Sequence, residues 1–294
     1  MGTHSELGDF LRVRRAALQP EDVGVLNYGI RRVPGLRREE LAMLAGVSTT
    51  YYTRLEQGFS TNASEAVIEA IGRALNLSKD ERLHLFNLAR PEKVKRRLPA
   101  KPDKVRPGTL TLIQSMPGTP AVVLGRRSEV LAWNALGHRL VAGHVDFEAP
   151  QVPASRPNMT RLLFLDHHTR ELYARWPEEA GRAVASLRLV AGKSADDQEL
   201  ASLVGELTLK SPEFAKLWAR HPVENCMSGV KYLHHPEVGY LELNFEVLTP
   251  PDESGHRVLL YAAAPGSPSA TTLALLQRPG GMEGVPRGLS AIKS

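Results

Sequence analysis

Over the first ninety residues apolar side chains recur at helical spacing, separated by residues that start and stop helices. Leu7, Phe10, Leu11 and Leu18 mark a first helix that ends before Pro20. Leu41 and Leu44 mark a second, and Ala42 and Ala45 beside them let a partner helix come close. Gly46 offers a positive φ that other residues adopt only at a cost. Ser48 then caps a third helix with Tyr52 and Leu55 inward and Gly58 as its C′ glycine. Ser64 precedes the stripe Val67, Ile68, Ile71 and Leu75, and Ser78 with Glu81 makes a capping box ahead of Leu83, Leu85, Phe86 and Leu88. The pattern predicts a five-helix domain over 1–92 whose second and third helices form a helix-turn-helix.

Residues 93–107 alternate basic residues with prolines and hold few large apolar side chains, which predicts a linker. From 108 to 276 the pattern becomes mixed. Ala121–Leu124 and Val130–Trp133 predict a hairpin; helical stretches follow at 135–142, 159–165, 176–191, 196–209 and 212–220. Strands return at 226–234, 239–248 and 257–263, where Leu241, Leu243, Phe245 and Val247 alternate with polar partners. Strands at both ends of a helical middle predict one antiparallel sheet with helices packed on it, hence a multi-domain α and α+β protein. Residues 277–294, with Pro279-Gly280-Gly281, are expected to be a disordered tail.

The chain has 294 residues, 42% of them hydrophobic and 23% charged, enough for two ordinary folded domains. No apolar run reaches the length of a membrane span and the amino terminus has no basic-then-apolar leader, so a cytoplasmic protein without a membrane partner is expected. One cysteine, Cys226, excludes an internal disulfide and a multi-cysteine metal cage. Charge is unevenly spread: residues 1–107 hold 19 basic and 13 acidic residues, a net +6, and the remainder 18 and 19, a net −1. A basic first part beside a near-neutral second fits nucleic-acid binding by one domain and another task for the other.

On the third helix Thr50, Thr53, Arg54 and Gln57 point away from the buried seam and Thr49 stands in the exposed first turn, groups suited to base edges and phosphates. Arg31, Arg32, Arg37 and Arg38 surround Pro34-Gly35 as a phosphate clamp. In the second domain a helix-covered sheet can leave a cavity walled by Leu163, Phe164, Leu187, Phe214, Leu217 and Trp218. Asn134, Arg161 or Arg188 would anchor a carboxylate there. No phosphate loop, nucleophile elbow or paired-histidine zinc helix is present, and His167-His168 and His234-His235 are neighbours that point apart. No catalytic residue, metal or cofactor is therefore expected. The rival reading is a ligand-binding or catalytic protein with an incidental helical domain, which would not select a DNA sequence.

Leu41-Ala42, Ala45-Gly46-Val47-Ser48 and Leu55-Glu56-Gln57-Gly58 stand at the spacing of the Xre or lambda-repressor-like helix-turn-helix family, which the N-terminal domain resembles. The Arg31–Ala42 string, Trp133-Asn134, the run 158–166, the run 183–188, Leu203-Val204-Gly205-Glu206-Leu207, Ser211-Pro212-Glu213-Phe214 with Leu217-Trp218, and Pro265-Gly266-Ser267-Pro268-Ser269 resemble the MmyB-like transcription regulators. The first resemblance implies that Thr49, Thr50 and Arg54 read bases, with Tyr51 as a further contact. It also implies that Arg38 touches phosphate and that Glu56 pairs with Arg15. The second implies a PAS-like ligand-binding domain for a small apolar effector of fatty-acid type, with Phe164, Phe214 and Trp218 among its walls. Together they imply a regulator bound to duplex operator DNA. One recognition helix covers too few base pairs for specificity, so a homodimer reading two half-sites is expected, the ligand domain supplying the dimer contact. His167-His168 replace an expected Asp-Pro turn, which implies a local loop change.

Overall fold

The computed structural model describes residues 5–25, 33, 35–59, 63–90, 103–194, 196–251 and 254–277. Arg31, Arg32, most of the expected linker and the tail beyond Gln277 lie outside them. The described chain forms two compact units, one from residues 1–100 with 180–226 and the other from 101–179 with 227–294. This division cuts across the one expected at 93–107, because a middle segment of the 108–276 region packs with the N-terminal helices.

The first unit opens with α1 (Glu6–Ala17), α2 (Arg38–Leu44), α3 (Thr49–Glu56), α4 (Glu65–Ala74) and α5 (Lys79–Ala89). Their starts follow from local chemistry. The hydroxyls of Ser48, Ser64 and Ser78 accept the backbone N–H three residues on, and Glu81 returns the bond to the Ser78 N–H at 2.7 Å. Gly46 sits at φ +66° with nothing near its missing side chain, so the turn between α2 and α3 needs a glycine for conformation alone. Gly8 is needed for space: a Cβ there would lie 2.1 Å from the Glu56 carbonyl oxygen, so α1 can meet the end of α3 only without one. The core combines Leu7, Phe10, Leu11, Leu36, Leu41, Tyr52, Leu55, Ile68, Ile71 and Leu85. Leu189 and Val223 from the later segment join the same cluster. That segment contains α10 (Trp176–Lys193) from Ala180 onward, α11 (Gln198–Lys210) and α12 (Pro212–Ala219).

The second unit is built on β1 (Ala121–Leu124), β2 (Val130–Trp133), β3 (Ser228–His235), β4 (Gly239–Leu248) and β5 (Arg257–Ala262), all paired antiparallel in the order β2-β1-β5-β4-β3. The β1–β5 pairing, with Val122 opposite Leu259, joins the early hairpin to the late strands. On β4 the predicted alternation holds, with Leu241, Leu243, Phe245 and Val247 buried and Glu242, Asn244 and Glu246 exposed. The other face of the β1 end carries Ala121, Val123, Leu131, Ala132 and Val258, which pack with Ile113 of α6 (Pro107–Gln114). Around the sheet lie α7 (Ala135–Ala142), α8 (Met159–Leu165), α9 (His167–Leu172) and α13 (Pro268–Gln277). At His167-His168 a new helix starts instead of a loop: Asp166 caps α9 by accepting the Thr169 N–H at 2.7 Å and its hydroxyl at 2.8 Å.

Candidate DNA-binding face and effector site

On α3 the buried side is Tyr52, Leu55 and Glu56, which leaves Thr49, Thr50, Arg54 and Gln57 exposed and Tyr51 and Thr53 half-buried. The helix is locked from below by charge. Arg15 of α1 donates Nε to Glu56 Oε2 and Nη2 to Oε1, both at 2.9 Å, while its Nη1 donates to the Leu36 carbonyl at 2.7 Å. Arg38 of α2 adds Nη2 to the same Oε1 at 2.8 Å. Burial alone would raise the Glu56 pKa, but the hydrogen bonds from Arg15 and Arg38 outweigh it and hold this carboxylate below its usual range. Helix α3 is thus fixed in rotation against two other helices by one bidentate pair and one shared acceptor.

Arg38 keeps its guanidinium 42% exposed while bonding Glu56, and Arg37 is half-buried next to it, so both stand at the start of α2 in the company of α3. Arg31 and Arg32, the other half of the expected clamp, fall outside the described residues. Phe59 is an exposed group without a signal in the periodicity. Its N–H donates to the Arg54 carbonyl at 2.9 Å, and Gly58 ahead of it adopts φ +80°, so the ring is carried at the exposed end of α3.

In the second unit Asn134, one of the expected polar anchors, lines a cleft and also serves as a structural hub. Its side-chain oxygen accepts the N–H of Ala121 and of Gly137, and its amide donates to the carbonyls of Ile113, Met116 and Thr119, at 2.7 to 3.1 Å. It caps α7 and ties α6 to β1, which uses all of its polar capacity. Arg161 is exposed on α8, and Phe164 is buried edge-on to Trp176. Arg188, Phe214 and Trp218 fall in the first unit: Arg188 lies over the Trp218 ring at 3.6 Å, Phe214 stacks on that ring, and the guanidinium donates to the Trp218 carbonyl.

The cleft in the second unit, of about 370 Å³, is walled by Trp133, Phe147, Leu136 and Leu276, with Asn134, Arg139 and Gln277 among its polar lining. Trp133 is held in place by its indole N–H, which donates to the Phe147 carbonyl at 2.8 Å. Arg139 pairs with Glu237 at 2.6 Å. On the sheet, register places Lys231, opposite Leu243, on the buried face. Its ammonium pairs with Glu179 and lies 4.5 Å from the Phe245 ring centroid. Burial, with Glu179 nearby, raises the Tyr173 and Tyr261 phenols, keeping both neutral.

Residues 105–276 match the family model for the MmyB-like transcription regulator ligand binding domain, and residues 6–85 match one for a helix-turn-helix domain. The chain belongs to the MmyB-like transcription regulators. No curated protein matches it. An MmyB-like regulator with both domains is a ligand-responsive DNA-binding protein, so its partners are DNA and a small-molecule effector. Among the described residues no helix is long and apolar enough to cross a membrane, and no group of three or more histidine, cysteine or acidic residues could hold a metal ion.

Two features of this MmyB-like regulator had little voice in its sequence. Phe147 sits in a loop whose contribution to the cleft depends on the chain folding back over Trp133. Lys231 reads as a solvent-facing residue between Val230 and Tyr232. Only its spacing of two from Leu233 puts it on the buried face.

Proposed function

We propose that the chain binds a specific duplex operator as a homodimer in the cytoplasm and that its effector is a small apolar molecule of fatty-acid type. The observation that carries the DNA reading is the face of α3. Four polar side chains, Thr49, Thr50, Arg54 and Gln57, stand free of the core on a helix that Glu56 holds rigid. Such a helix fits a major groove, where Arg54 pairs with a guanine edge and the threonines meet bases or phosphates. Arg31, Arg32, Arg37 and Arg38 then take the flanking phosphates, with Tyr51 as a further contact. One helix reads few base pairs, so two copies would span half-sites about 34 Å apart. For the effector, the support is the aromatic and aliphatic wall of Trp133, Phe147, Leu136 and Leu276, of a size within the usual range for ligand sites, with the Arg139 guanidinium beside it to meet an acidic head group.

In vitro selection with the full chain should return a two-part consensus sequence, and Arg54→Ala should lower affinity for it by about 1–3 kcal/mol while relaxing one position. An unchanged preference in that variant would remove α3 as the reader. Native mass spectrometry of freshly purified protein should show a co-purifying acyl molecule, lost in Trp133→Asp; polar adducts alone would point to another effector class.

A further inference from the structure

The α1 and α5 helices of the DNA-binding unit are covered by a segment from more than ninety residues later. Leu189 and Val223 enter their apolar cluster. Arg14 Nη2 donates to the His221 carbonyl at 2.7 Å, and Asp80 accepts the Asn225 N–H at 2.9 Å. Gly192 of α10 meets the imidazole of His84 so closely that a Cβ would lie 2.5 Å from Nδ1. The same unit holds a group of buried polar atoms left without a hydrogen bond. Among the described residues Arg14 Nε, Asn87 Nδ2, Arg188 Nε, His221 Nδ1 and both ring nitrogens of His84, one a donor and one an acceptor in the neutral ring, have no hydrogen-bond partner. A buried unpaired polar group gives back its desolvation cost when water reaches it, which offsets part of the apolar gain of this contact.

We infer that residues 180–226 form a releasable clamp on the helix-turn-helix unit, closed over α1 and α5 through a contact poised near balance. The inference rests on the ligand-responsive reading, since a clamp serves a protein whose ligand-binding family domain must act on its DNA-binding one. The clamp segment lies within the 105–276 family match, so it belongs to the ligand-binding domain by descent and to the DNA-binding unit by packing.

The charges around the contact give it a sign. His84 faces Arg14 of α1, Arg188 of α10 and His221; His221 faces Arg188, Arg14 and Arg12. The acidic groups act on those cations rather than on the imidazoles: Glu81 pairs with Arg14 at 3.0 Å, and Glu6 and Asp9 act on Arg188. Burial first, then these cations, push His84 down to about 3 and His221 down to about 4. Both imidazoles are therefore neutral in the closed state and regain an ordinary pKa near 6.5 when released. Closure is at full strength above that value and weakens as pH falls below it, by up to about tenfold per unit for each imidazole.

Hydrogen–deuterium exchange of the full chain tests this, with intrinsic rates corrected for pH. Gly192→Ala wedges the contact while favouring α10 itself as a helix, so exchange in α1 and α5 should rise tenfold or more and affinity for the selected operator should change. Asp80→Ala should do the same more weakly. His84→Leu should slow exchange and reduce the difference between pH 7.5 and 5.5. The clamp is overturned if Gly192→Ala leaves α1 and α5 as protected as before, if acid opens all helices of the chain together, or if opening leaves operator affinity unchanged. Failure of the unaltered chain to select any DNA would instead sink the functional reading, leaving the exchange data to judge the contact.

Discussion

Glu56 shows how one side chain sets the geometry of α3. It is nearly inaccessible, accepts from two guanidiniums and sits on the same helix as the exposed Thr49, Thr50 and Arg54. Glu56→Ala would leave Arg15 buried and unpaired, a loss of about 3–5 kcal/mol, seen as a lower midpoint in denaturant. Because its pKa is depressed, this stabilisation is present above the ordinary carboxylate value of 4.5 and is lost as pH falls through the lower folded value. Urea titrations of the unaltered chain and of Glu56→Gln at descending pH should therefore converge in acid. Equal acid sensitivity of the two proteins would show that other carboxylates dominate. The Arg15 pairing could be anticipated from resemblance, whereas Arg38 as a second partner was expected on phosphate alone; the structure shows it bonded to Glu56 while still exposed.

At the scale of elements, the helix starts were the most readable part of the chain. Ser48, Ser64 and Ser78 cap where their spacing placed them, because a cap involves only the next three residues. The strands were equally plain where one face is buried and the other wet, as on β4. Less legible were α6, α9 and α13. The last groups its polar residues Ser269, Thr271 and Thr272 ahead of the consecutive Leu273-Ala274-Leu275-Leu276, and so carries little periodicity to read. Asn134 was legible as a polar residue in an apolar setting, and its role as a hub emerges only when α6, β1 and α7 meet around it. Asn134→Ala removes both accepted bonds and the two amide donors shared among three carbonyls, and should destabilise the chain by about 3 kcal/mol in thermal or denaturant melts. A variant of unchanged stability would return Asn134 to the list of effector contacts.

For the whole molecule, charge and packing divide the chain differently. Charge separates 1–107 from the rest, a net +6 against −1, and this division governs encounter with DNA. Affinity for operator and non-specific duplex should both fall steeply with salt, and replacing Arg37 and Arg38 by alanine should reduce the slope of log K against log salt by about 1.8 if each neutralises one phosphate. A slope unchanged by the double substitution would take these arginines off the DNA backbone. Packing instead groups residues 180–226 with the N-terminal helices, where Leu189 and Val223 complete a core begun by Phe10 and Leu85.

The sequence by itself determined what short-range interactions decide: the five N-terminal helices, their caps, the glycine turn before α3, the face of α3 turned outward, and the alternation of the late strands. These depend on hydrogen bonds and burial patterns that repeat within a few residues. Tertiary structure alone decided which polar groups are occupied and which partners a segment takes. Asn134 became a structural cap, Lys231 turned inward, Trp133 and Phe147 came to share a cleft, and α10 with residues 221–225 packed on α1 and α5. Each of these rests on contacts between residues far apart in the chain, and no periodicity within one element encodes which distant surface will meet it.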